Sequence, residues 1–468
     1  MKLVKQVCLS VLCCLSTPSI AGPWIESDDP LLRASVEMLF NQGIIKQPIN
    51  AYPLMWQGIA HDLQQVNSSE LSQSSVFAYQ HVKHALENAK QHTDSGVRVN
   101  YNSEPELSQQ FGKRDQQKSG INSYSSITGD TVSAKVSVNY ADGALDKKYI
   151  NFQDSYLAVL LGNWSLSAEQ VSHWWGPSND NALLLSNNAS PMKGVRITRA
   201  NSEYVGPSWL SFIGNWQLTG IYAKQKPSTL NTENGNYWAL RFSSTPLAGL
   251  EVAINTVGSD FLNDTFADLN DAALVSKNYR LTSLDVKYST TIASQPVAFY
   301  SEVMGRNSNG LAPQDPFYTI GIESYFGSEQ QLLKTYFEYA NTQQQCDSDI
   351  DCLYTNNNSA KPTTDYRHKD RMLGSSEPMQ SKTAVLGAFY HTMNGYAGFA
   401  TLRWLESHNP ISENDILTAK LSRWQLELGY QQGLLNGLWK VSGSVYQDDV
   451  NNDTQTNSAI KTSWEYRF

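Results

Sequence analysis

Two runs in this chain carry side chains suited to holding a hydroxyl-rich or anionic ligand. In the first, Trp174-Trp175-Gly176-Pro177 is followed by Asn179, Asp180 and Asn181. Indole rings pack on sugar faces and planar polar groups bond sugar hydroxyls, so Trp174, Trp175, Asn179, Asp180 and Asn181 are expected saccharide ligands. The same residue types also fill cores and make turns, and that alternative stands beside the first. The second run, Arg367-His368-Lys369-Asp370-Arg371, is basic in a chain of net charge −9. Guanidinium groups pair carboxylates in a forked geometry, so Arg367, Lys369 and Arg371 are expected to meet a polyanion; a solvated charge cluster or a contact with phosphates is the alternative. Cys346 and Cys352 enclose Asp347, Asp349 and Asp351. An oxidising compartment would join the two thiols into a small disulfide loop. Zinc would need two further ligands that no nearby spacing provides, and the acidic triplet lacks the glycine and distant Glu of an EF-hand loop.

Catalytic chemistry has little to stand on. His81 and His84 lie three apart on an expected helix, but neither they nor His61 and His92 have a carboxylate or Cys to complete a metal site. No serine arrangement with a recognisable signature surrounds His173, His368, His391 or His408. No catalytic residue, metal or cofactor is expected, and the acidic balance argues against a nucleic-acid partner.

Hydrophobic periodicity defines the elements that must position these residues. Along 459–468, Ile460, Thr462, Trp464, Tyr466 and Phe468 fall on one face and Lys461, Ser463, Glu465 and Arg467 on the other. Period-two alternation ending on an aromatic residue fits the closing strand of a bacterial outer-membrane barrel, whose apolar face meets lipid and polar face the lumen. The same alternation sets Leu284, Val286 and Tyr288 against Asp285 and Lys287, and Trp238, Leu240 and Phe242 against Ala239 and Arg241. A composition only 40% hydrophobic yet 11% aromatic suits such a barrel, which concentrates aromatics at its two interfaces. At the other end, Lys2 and Lys5 precede an apolar stretch over 7–15, and Ser19-Ile20-Ala21 offers a cleavage site, so 1–21 reads as a secretory signal peptide. Residues 22–95 have a helical period and are expected to form a three-helix periplasmic module. Asp29 caps a first helix begun by Pro30 and stopped by Gly43, a second follows Pro53, and a third spans 69–90.

Residues 96–468 then read as the barrel, an all-β membrane fold. Nineteen candidate strands can be marked, 97–112 and 207–213 among them, but chain ends on one side of the membrane require an even number, so the expectation is about 18. Anchoring Phe468 in the periplasm makes connections such as 431–436 and 393–395 short and periplasmic, and 342–382, 406–415 and 258–278 long and extracellular. The exception is 173–193, where either a short strand over 182–187 or insertion into the lumen would restore the alternation.

Pro23-Trp24-Ile25-Glu26-Ser27-Asp28-Asp29-Pro30-Leu31-Leu32-Arg33, Tyr52-Pro53-Leu54-Met55-Trp56, Trp174-Trp175-Gly176-Pro177 and Leu185-Ser186-Asn187-Asn188-Ala189 together resemble the Wzi family of capsule-assembly proteins. The likeness runs over essentially the whole chain beyond the signal. It implies an outer-membrane barrel of about eighteen strands with periplasmic helices and a closed lumen. It also implies a lectin-like role, holding capsular or exopolysaccharide at the cell surface. Expected partners are that polysaccharide and outer-membrane lipids with lipopolysaccharide, around a monomer. The alternative is a porin or sugar channel of the same fold. The long 342–382 loop departs from the family pattern and puts ligand preference in doubt.

Overall fold

The computed structural model describes residues 22–67, 71–104, 109–113, 117–143, 149–226, 235–259, 280–306, 312–343, 366–369, 371–375, 381–407, 421–450 and 453–468. The signal-peptide reading of 1–21 lies outside these residues, as do Cys346, Cys352 and the acidic triplet between them.

Eighteen strands close into one antiparallel barrel. They are β1 (Thr93–Asn102), β2 (Ser119–Thr128), β3 (Val132–Asp142), β4 (Ser155–Leu161), β5 (Trp164–Gln170) and β6 (Lys193–Arg199), then β7 (Asn215–Gln225), β8 (Gly235–Leu247), β9 (Leu250–Ser259), β10 (Arg280–Ile292), β11 (Gln295–Arg306) and β12 (Gln314–Gly327). The last six are β13 (Gln331–Asn341), β14 (Ser381–Thr392), β15 (Ala397–Ser407), β16 (Leu421–Leu434), β17 (Gly437–Val450) and β18 (Asp453–Arg467). Ile150–Asn151 adds a detached rung ahead of β4, on the same neighbour β3. The barrel closes where β18 pairs with β1, from Lys461↔Asn102 to Arg467↔Gly96. Closure gives every barrel strand a neighbour on both sides, the condition for burying a sheet in hydrocarbon.

The count falls from nineteen to eighteen because Ser208–Ile213 is a 3-10 turn rather than a strand. Pro207 cannot donate to a ladder, and Gly214 has φ +66°, so the stretch between them is broken at both ends. The expected strand 97–112 also stops early, at Asn102. Phe111 folds inward onto Trp174 and Tyr52 instead.

Alternation sorts the two faces as the pattern requires. On β10, Leu284, Val286 and Tyr288 are 42%, 39% and 47% exposed on the outside, while Ser283, Asp285 and Lys287 are 0%, 4% and 1% exposed on the inside. Among the described residues, the tight connections (β8–β9, β10–β11, β12–β13, β16–β17) gather at one end with Phe468, joined there by one longer connection, 200–214, while the 171–192 connection leaves from the other end.

Three helices occupy the short-turn end. In α1 (Pro30–Asn41), Asp29 accepts from the Leu31 and Leu32 amides at 2.9 Å each, the expected cap. Gly43, at φ +71°, turns the chain away. α2 is Trp56–Gln64, and α3, Gln73–Ala89, begins after Ser72, later than the 69–90 pattern suggests. Val36, Leu39, Ile59, Ala78 and Val82 form one apolar core with barrel residues Tyr325 and Leu332. α1 therefore lies inside the barrel mouth, and the Asn41 side chain donates to the Val297 carbonyl at 3.2 Å.

Candidate functional site

The barrel's inner face is polar, and a buried polar wall needs partners. They come from segment 171–192, which leaves β5 at the long-connection end and enters the lumen without forming the short strand expected over 182–187. An irregular segment so placed carries amides with no ladder to join. Wall carboxylates take them. Glu338 of β13 accepts from the amides of Asn179 at 2.8 Å, Asp180 at 3.3 Å and Asn181 at 2.9 Å. Glu302 of β11 accepts from Leu183 at 3.0 Å and Leu184 at 3.2 Å. Glu251 of β9 does the same for Ile49 at 2.7 Å and Asn50 at 3.3 Å in the amino-terminal segment.

Trp174 and Trp175 pair backbone to backbone with Tyr52 and Ala51, joining the two plug segments. Both indoles are at most 1% exposed. Trp174 donates through Nε1 to the Ser178 carbonyl at 3.1 Å. Trp175 packs with Leu183, Leu185, Ile221 and Tyr237. Asn179 donates to Tyr300 and Glu323 and accepts from Lys334 at 2.7 Å, while Asp180 meets Arg403 of β15. The structure places Trp174, Trp175, Asn179, Asp180 and Asn181 as the packing alternative describes, away from solvent. Their side chains lie in the packed interior, where the two rings fill space, Asn179 and Asp180 meet charged or polar wall groups, and the Asn181 amide is buried with neither end hydrogen-bonded.

A second polar lock seats α1. Glu37 accepts from Arg33 at 3.0 Å, Lys287 at 2.9 Å and Lys334, and Glu323 also binds both lysines. Sequence reading placed Lys287 on the wet face but missed Glu37, Glu251, Glu302, Glu323, Lys334 and Glu338. The available signal was ionisable residues recurring at inward positions of otherwise uncharged strands.

Over the plug's outer end lies the basic run, folded as a tight hairpin in which Arg367–His368 pairs with Arg371–Met372 and Lys369 takes φ +51° at the tip. Contacts that hold it to the plug include Tyr366 OH to the Leu184 carbonyl, the Ser186 amide to the Leu373 carbonyl at 2.9 Å, the Asn188 side-chain amide to the Met372 carbonyl at 2.9 Å, and Arg371 to Asn188 Oδ1 at 2.8 Å. Two more tie it to the chain beyond β7: the Lys226 amide donates to His368 Nδ1 at 3.0 Å, and the Lys369 amide to the Lys226 carbonyl at 2.6 Å. Burial pulls the Arg371 guanidinium down to about 10. Arg367, Lys369 and Arg371 are thus gathered, only partly covered, at the long-connection end.

Inside, a cavity of about 30 Å³ lies among Glu169, His173, Ser190, Tyr237 and Leu373, and a second of similar size among Met55, Gln57, Asp130 and Leu160. Each has room for a water but not for a sugar ring. His173 Nε2 sits 3.0 Å from Glu169 in the first; burial lowers its proton affinity despite that carboxylate.

A closed eighteen-strand barrel with an apolar exterior and a segment of its own chain packed in the lumen is a plugged outer-membrane-type barrel. The family model for capsule assembly protein Wzi matches residues 88–463, and the chain belongs to that family. The solved structure of Wzi from Escherichia coli, described as an outer-membrane protein involved in group 1 capsule assembly and a carbohydrate-binding β-barrel, superposes with TM-score 0.81 at 18% identity, covering 96% of this chain and 100% of that one. A Klebsiella pneumoniae protein described as an uncharacterized 55.8 kDa protein in the cps region is 24% identical over 352 residues, covering 72% of this chain and 68% of the relative.

Proposed function

We propose that this protein retains capsular or exopolysaccharide at the cell surface, binding it at the outer mouth of the barrel and neither conducting nor cleaving it. The observation that carries this reading is a basic hairpin that brings Arg367, Lys369 and Arg371 together over the plug segment 171–192. Carbohydrate is the ligand class named for the Escherichia coli structure, and a mouth with three cations suits the acidic members of that class. The connections support an orientation in which most short turns and the helices face the periplasm and most long connections the medium, after removal of 1–21. The expected Cys346–Cys352 disulfide belongs to one of those outer loops.

The test is to delete the gene, restore it with wild type or with Arg367→Glu/Lys369→Glu/Arg371→Glu, and stain for attached against released polysaccharide. Deletion is expected to release polymer without reducing synthesis, and the triple variant to do likewise with the barrel assembled at normal levels. Full retention by the triple variant would remove these three residues from the site. Full retention in the deletion strain would remove the function.

A further inference from the structure

The outward rim of β6–β10 holds cations that the plug and mouth do not use. Lys193 and Lys224 are register partners on β6 and β7, both exposed on the outer face at the long-connection ends. Like charges directly opposite one another repel, and this pair meets no carboxylate among the described residues. Lys224 Nζ instead reaches Asn236 Oδ1 at 2.6 Å, a neutral acceptor that orients the ammonium without neutralising it. Directly below runs a single outward rung across five strands: Val195, Tyr222, Trp238, Gly258 and Arg280. Arg280 is exposed, with its guanidinium carbon 5.7 Å from the centroid of the Trp238 ring. Further from the rim, Ile197 and Leu240 continue the apolar face.

The opposite arc is built differently. There Lys382 of β14 has Glu406 of β15 as its register partner, and Asp449 of β17 lies in the same rung beyond Ser422. In these two rungs of described residues the unneutralised cations fall on one side of a chain whose net charge is −9.

We infer that Lys193, Lys224 and Arg280 form a binding site for the phosphates of an outer-leaflet glycolipid, a phosphorylated lipid A. Its acyl chains would lie along Val195, Tyr222, Ile197 and Leu240, and its phosphates would supply the anion that the Lys193–Lys224 pair lacks. The inference rests on the orientation proposed above, which places this rim in the outer leaflet.

The test is native mass spectrometry of the full-length protein in detergent, titrated separately with bisphosphorylated lipid A, dephosphorylated lipid A, phosphatidylglycerol and inorganic phosphate. Wild type is expected to retain bisphosphorylated lipid A over the other three. Lys193→Glu/Lys224→Glu/Arg280→Glu is expected to lower that retention about tenfold or more, from roughly one tenfold step or less per juxtamembrane charge. Lys382→Glu on the opposite arc should leave it unchanged. Should the triple reversal fail to assemble, the Gln versions of the same three positions replace it. Equal retention by the triple variant, an equal loss in Lys382→Glu, or equal capture of dephosphorylated lipid A or phosphatidylglycerol would each overturn the site. Whole-cell labelling of an epitope inserted after Ala312 tests the orientation independently, so its failure is distinguishable from failure of the lipid site.

Discussion

Replacing Glu37 by Gln is expected to unseat α1 from the barrel. The Glu37 side chain is 1% exposed and meets Arg33, Lys287 and Lys334, while Tyr325 OH adds a bond at 3.3 Å. Burial pushes its carboxyl up, but Lys287, Lys334 and Arg33 outweigh burial and hold it well below the usual carboxylate range. After substitution, three buried cations share the one carboxylate of Glu323. Removing one member of a buried ion network costs about 3–5 kcal/mol, because the remaining charges stay desolvated. If α1 opens locally while the barrel persists, that is a rise of about two to three and a half orders of magnitude in its open population. Hydrogen–deuterium exchange on α1 peptides reads this directly as lost protection, with β16–β18 peptides as the unchanged reference. The variant Glu37→Gln/Lys334→Met removes one charge of each sign and is expected to recover part of the protection. The acid dependence has a defined sign. A carboxyl depressed in the folded state stabilises fully above its unfolded value of about 4.3, and that stabilisation is lost as pH falls below it. Unchanged α1 protection in Glu37→Gln at neutral pH would refute the view that these charges seat the helix.

Trp175→Ala removes a large buried ring and is expected to cost about 3–5 kcal/mol of plug stability. Exchange over 182–189 should rise, whereas polysaccharide retained per assembled barrel should fall only as far as the plug loosens. His81 lies with its ring centroid 5.0 Å from that of His391, and burial lowers its proton affinity. A lowered base favours docking above its unfolded value of about 6.5 and weakens it as pH falls below. α3 exchange should therefore quicken between pH 7.5 and 5.5, and His81→Phe should reduce that response, the remainder belonging to His391 in the same contact. At Gly327 an added Cβ would stand 1.9 Å from the Ser74 carbonyl, so Gly327→Ala is expected to push the start of α3 off the barrel, read as faster exchange over 73–80.

Much of this architecture could be read locally. Leu284, Val286 and Tyr288 declare their face because successive strand side chains point to opposite sides. Asp29 and Gly43 mark the ends of α1 through chemistry reaching only a few residues. The miscounted strand 207–213 shows the limit of that reading, since Trp209, Leu210, Phe212 and Ile213 alternate loosely enough to pass for a strand. Only the missing Pro207 donor and the Gly214 turn decide otherwise. Trp174 and Trp175 show it again, because a ring that stacks on sugar and a ring that fills a bore have the same local sequence.

Alternation, caps and the aromatic terminal strand thus determined the barrel, its helical end and the even strand number, because each depends on dihedral geometry within a few residues. The contents of the lumen were decided by closure alone. Glu338 meets the Asn179 amide across 159 positions and Lys334 meets Glu37 across 297. These pairings exist only once eighteen inward faces surround one small volume, where low dielectric and the cost of an unpaired buried group select which distant residues meet.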